Sequence, residues 1–86
     1  MERMDALLTA LLTKVKGLPT PEDHPTLSQE IAGEMSLPLE EVLSLSRMLV
    51  QDGFLKISPL HDPPLLYLTV SGVARALRLK SDSRVS

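Results

Sequence analysis

Apolar residues at Met4, Leu7, Leu8, Leu11, Leu12 and Val15 line one face of an α-helix, so the chain is expected to open with an amphipathic helix over 4–15 that Gly17 closes. Pro19, Pro21 and Pro25 then punctuate a loop over 17–25, acidic through Glu22 and Asp23. Thr26-Leu27-Ser28-Gln29 has the form of a capping box, in which Thr26 accepts from the backbone three residues on and Gln29 reaches back; a short helix is expected over 27–35. Ser36-Leu37-Pro38 breaks it, because the residue before a proline is pushed out of the helical region while proline suits the start of a new helix. That third helix carries Glu40 and Glu41 at the positive end of its dipole and the stripe Val42, Leu45, Leu49, and it runs to Asp52-Gly53.

After Gly53 the period shortens to that of strands. Runs at 54–58 and 65–70 flank Pro59-Leu60-His61-Asp62-Pro63-Pro64, which predicts an antiparallel hairpin with a stiff tip. Thr69 or Ser71 can cap a last helix with Val73, Ala76 and Leu77 on one side and Arg75 and Arg78 on others, and Ser81 begins a polar, frayed tail. The fold class expected is mainly α with a small β-hairpin, one domain over 1–80 followed by the tail 81–86.

Composition narrows how such a domain is held together. Of 86 residues 43% are hydrophobic, leucine supplies 18, and Phe54 and Tyr67 are the only aromatics, so the core must be interdigitated aliphatic side chains. The absence of cysteine excludes a disulfide framework and a thiolate zinc site. No run approaches the roughly 18 apolar residues of a membrane span, and the first residues lack a cleavage pattern, so no membrane partner is expected and a cytoplasmic location is the default. The net charge of −2 gives no bulk attraction to nucleic acid, but it is unevenly spread. Residues 17–35 hold only acids, whereas Arg75, Arg78, Lys80 and Arg84 outnumber Asp82 at the C-terminus.

The order helix, helix, turn, helix, hairpin, helix resembles the winged helix-turn-helix family, and the internal spacing carries the resemblance further. Ile31, Ala32, Met35, Leu37, Val42 and Leu45 occupy the apolar and small positions of its two-helix unit, with Ala32 where the helices cross closely. Ser36 stands where the family often has a turning glycine, a departure that adds modest strain. Asp52-Gly53-Phe54-Leu55 and Leu68-Thr69-Val70-Ser71-Gly72 are similar to the passages into the first wing strand and out of the second in MarR-, ArsR- and PadR-like regulators. The resemblance covers most of residues 26–72 and implies a DNA-binding regulator of transcription, acting as a homodimer, that reads duplex DNA with its third helix.

One fold hosts many activities, so the chemistry of that helix's outer face is the test. At about 100 degrees per residue from Val42, the outward face carries Glu40, Ser44, Arg47 and Gln51, with Leu39 and Leu43 on its edge. Arg47 suits guanine, Gln51 adenine and Ser44 a base or phosphate, while Lys56 and the C-terminal basic residues are candidates for phosphates. Two features oppose this: Glu40 and Glu41 lie where phosphates would approach, and the wing tip has no lysine or arginine. Arg47 also has a plainer reading, as a solvated residue paired with Glu40 or Glu41, and the C-terminal basic residues can simply complement a helix dipole.

Dimerisation is expected to use Leu8, Leu11, Leu12 and Val15 of the first helix, with Leu77 opposite. The alternative function is a protein-protein interaction module that has lost DNA binding, with Leu39, Leu43, Val50 and Leu60 meeting another protein. His24 and His61 neighbour acids but sit in proline-rich loops without ligand spacing, so they are read as surface histidines and no metal or other cofactor is expected. No phosphate-cradling glycine loop, nucleophile elbow or convergent acid pair occurs, so no catalytic residue is assigned and an enzyme is not expected.

Overall fold

The computed structural model describes the backbone of residues 2–85 and the side chains of residues 3–81. Its elements are α1 (Glu2–Val15), a single 3-10 turn (Pro21–Asp23), β1 (Thr26–Leu27), α2 (Ser28–Met35), α3 (Leu39–Gln51), β2 (Leu55–Ser58), β3 (Leu65–Leu68) and α4 (Val70–Val85). This is a winged helix-turn-helix architecture, four helices with a small antiparallel sheet. The apolar stripe of α1 supplies the centre: Leu7, Leu8, Leu11, Leu12 and Val15 are buried in one cluster with Ile31 and Ala32 of α2, Val42, Leu45 and Leu49 of α3, Leu55, Leu66 and Leu68 of the sheet, and Ala76 of α4. Burying a leucine side chain contributes about 1.5–3 kcal/mol, so these aliphatic residues are what offset the cost of ordering so short a chain.

Three local expectations are corrected. Thr26 does not cap α2. It lies in β1, buried and opposite Leu66 of β3, while Leu27 occupies the cap position without a side-chain bond. The sheet therefore has three strands in the order β1-β3-β2, one more than the hairpin read from the sequence. Pairing across forty residues engages backbone groups that a local pattern of side chains cannot reveal. Ser28, which follows β1, donates its N–H to the carbonyl of Pro64 at 3.4 Å, and its hydroxyl is buried without a partner. Residues 17–25 are not wholly irregular, because Pro21 starts the 3-10 turn. Finally, α4 stays helical to Val85, past Ser81, where a frayed tail was expected.

Helices α2 and α3 close in the same way. Ser36 has φ 56° and Gly53 φ 83°, both left-handed. In each case the next residue bonds back five positions, Leu37 N–H to Ala32 at 3.0 Å and Phe54 N–H to Leu49 at 2.9 Å, a Schellman-type stop. Serine accepts at the first turn the strain that glycine avoids at the second.

Candidate nucleic-acid interface

The inward side of α3 is Val42, Leu45, Ser46 and Leu49, all buried. Ser46 is tolerated there because its hydroxyl donates to the carbonyl of Val42 at 2.7 Å, which satisfies it within the helix. Its place on the wheel beside Val42 was the available signal. Anchoring this side leaves Glu40, Ser44, Arg47 and Gln51 exposed together on the opposite side, so the structure does bring these four expected residues onto one open face. Leu39 and Leu43 are half-buried on one flank, where Val50 is 39% exposed; Met48, 44% exposed, lies on the other flank with Glu41.

Arg47 is solvated, as its plainer reading has it, but it is not paired with Glu40 or Glu41. Glu41 pairs instead with Arg3 of α1, and Arg47 has no ion pair or hydrogen bond among the described residues. The Arg3 contact also lightens the acidic start of α3. One of its two carboxylates is matched by a guanidinium, which leaves Glu40 as the exposed acid at that end without an ion pair among the described residues.

The wing adds less. Lys56 stands exposed on β2 opposite Tyr67 of β3, so it belongs to the hairpin and not to the helix face. With Ile57 and Ser58 this pair lines a shallow depression of about 220 Å³. Tyr67, one of the two aromatics, stands beside Lys56 through the hairpin register, the signal by which the sequence could have paired them. At the tip Leu60 is 88% exposed, next to exposed His61 and Asp62. A separate bond system ties the turn after α3 to α4: the Thr69 hydroxyl donates to the Gly53 carbonyl at 2.6 Å and accepts from the Gly72 N–H at 2.9 Å. Of the two candidates that the sequence offered, Thr69 and Ser71, it is thus Thr69 that caps α4.

The expected partner surface on the first helix is corrected. Leu8, Leu11, Leu12 and Val15 are between 1% and 4% exposed because they fill the chain's own core, which leaves them no surface to share. Exposed apolar side chains lie instead on α4, at Val70 and Leu77. Arg75 sits in the second turn of α4, too early to complement its C-terminal dipole, and approaches Asp5 of α1 at 3.9 Å. Arg78 is exposed, and Lys80 lines a hollow with Lys16, Leu77 and Ser81; the side chain of Arg84 is outside the described residues.

His24 Nε2 is 3.1 Å from the Pro19 carbonyl, within its own loop, and among the described residues no group of three His, Cys, Asp or Glu is placed to hold a metal ion. No helix among them is long and apolar enough to cross a membrane.

No protein-family model matches the chain. No curated protein matches it. Among solved structures, the crystal structure of the MarR family protein Rv2887 of Mycobacterium tuberculosis is similar, with a TM-score of 0.58 and 23% identity, covering 98% of this chain and 71% of that one. At that identity the likeness speaks for backbone architecture, and the chain has the winged-helix fold of a MarR family protein.

Proposed function

We propose that the chain is a small winged-helix regulator of transcription that binds duplex DNA through α3 and acts as a homodimer. The observation that carries this reading is Arg47, exposed at the centre of the α3 face with its guanidinium engaged by no acid among the described residues. An unengaged planar fork suits guanine in a major groove, and Ser44 and Gln51 stand on either side of it along the same strip. Lys56 is assigned to a backbone phosphate on the wing side. Likeness to a MarR family protein supports the winged-helix fold on which this reading stands. Because the α1 leucines are buried, the dimer contact is assigned to α4, around Val70 and Leu77.

Fluorescence anisotropy with a mixed-sequence duplex is the first test. Binding should appear at low salt and fall steeply as salt rises, and Arg47→Ala should cost about 1–3 kcal/mol at a selected site. Absence of binding at low salt would remove the proposal.

A second reading is favoured by one specific observation, the apolar flanks of α3 and the wing tip. Leu39 and Leu43 are half-buried there, and Val50, Met48 and Leu60 are exposed. In that reading the flanks meet another protein, and a stable complex that excludes DNA would be recovered with the purified partner.

A further inference from the structure

Arg3 lies in the first turn of α1, and its Nη1 donates to Oε2 of Glu41 in the first turn of α3. Nothing in α1 itself calls for a cation there, because the N-terminal end of a helix dipole disfavours positive charge. The Arg3 side chain is 64% exposed and that of Glu41 31%, so the contact is an open one that leaves the guanidinium facing outward. A guanidinium carries five N–H donors, and Glu41 is the partner of Arg3 among the described residues, so most of the fork is unspent.

The place of this fork matters more than the pair. Glu41 and Met48 form the flank of α3 about a quarter turn from the Glu40, Ser44, Arg47 and Gln51 face. A major groove is about 12 Å wide and a helix with its side chains about 10–12 Å across, so a seated helix brings both flanks against phosphate strands. On this flank a bare Glu41 carboxylate would repel the strand. With Arg3 docked on it, the same position presents a positive, hydrogen-bonding group.

We propose that Arg3 is a phosphate-contacting residue for duplex DNA, held by Glu41 against the flank of α3. The proposal rests on the DNA-binding reading above and extends its surface from α3 and the wing to α1.

Anisotropy titrations over a range of salt, on the full chain, test it. Arg3→Ala should make the dependence of log affinity on log salt shallower by about one and weaken binding about 5- to 10-fold near 0.1 M salt, equally for selected and mixed sequences. Arg3→Lys keeps the charge and should keep the slope. Lys16→Ala removes the same charge from the far end of the first helix and should leave the slope unchanged. Circular dichroism melts confirm that each variant is folded, with Arg3→Gln as the replacement if Arg3→Ala is not. A wild-type slope in the folded Arg3 variant overturns the proposal, as does an equal loss in Lys16→Ala, which would mean bulk charge alone. Failure of the wild type to bind at any salt would instead overturn the DNA-binding reading on which it stands.

Discussion

Gly72 shows how a single residue can be essential for a reason its own backbone does not reveal. A Cβ at this position would lie 2.0 Å from the carbonyl oxygen of Phe54, closer than any real contact allows. The need is for close approach, not for an unusual dihedral angle, and it exists because Thr69 draws the start of α4 onto the turn that ends α3: its N–H bonds to Phe54 at 3.1 Å and its hydroxyl to Gly53. The Leu68-Thr69-x-x-Gly72 pattern was legible in the sequence, whereas the carbonyl it makes room for was not. Gly72→Ala should therefore destabilise the fold by about 2 kcal/mol or more, measured by urea unfolding. A variant as stable as the wild type would mean that α4 and the turn are not packed this closely. Ser36 and Gly53 illustrate the other use of such positions, where the backbone itself is left-handed.

Among elements, α1 was the most clearly written and the most misassigned. Its leucine stripe specified a helix and a buried face, but an apolar stripe looks the same whether it is covered by its own chain or by a second one. The structure covers it with α2, α3, α4 and the sheet. Leu11→Asp should accordingly abolish cooperative unfolding, since burying an unpaired carboxylate costs several kcal/mol, about as much as a small domain has. Leu77→Asp, on the exposed side of α4, should keep the fold and convert a dimer to a monomer in light scattering. A folded Leu11→Asp protein of reduced mass would reverse this assignment. β1 was missed for a related reason: its two residues form a strand only because Leu65 and Leu66 offer them an edge.

At the scale of the whole molecule, charge is arranged by contacts between helices more than by local runs. Lys14 of α1 bonds Glu34 and approaches Glu30 at 3.5 Å, so two acids of the negative segment are engaged by the neighbouring helix. The Glu34 hydrogen bond holds the Lys14 ammonium above its ordinary pKa of 10.5 against the opposing effect of burial, and the charges of Glu30 and Glu34 add smaller upward contributions. A raised lysine pKa stabilises the fold at every pH below the unfolded value, and that contribution disappears as pH rises through the folded one. The difference in melting temperature between the wild type and Glu34→Gln should thus persist across neutral and mildly alkaline pH and close above about pH 10.5. A gap that stays constant into that range would show that Lys14 is not its source. Arg3 likewise pairs across helices with Glu41, so one of the two acids that the sequence placed at the start of α3 is matched by a cation in the folded molecule.

The sequence by itself determined the helix order, the helix-turn-helix spacing, the helix ends near Ser36 and Gly53, the hairpin and the outward face of α3. All of these follow from side-chain periodicity and backbone preference within a few residues of one another. Only the tertiary structure decided that Thr26 pairs in a sheet instead of capping a helix, that the α1 leucines belong to one chain's core, that Glu41 is matched by Arg3, and that Arg47 meets no acid among the described residues. Each of those depends on which of two chemically adequate partners a residue meets, and that choice is made by distant packing, which local pattern does not encode.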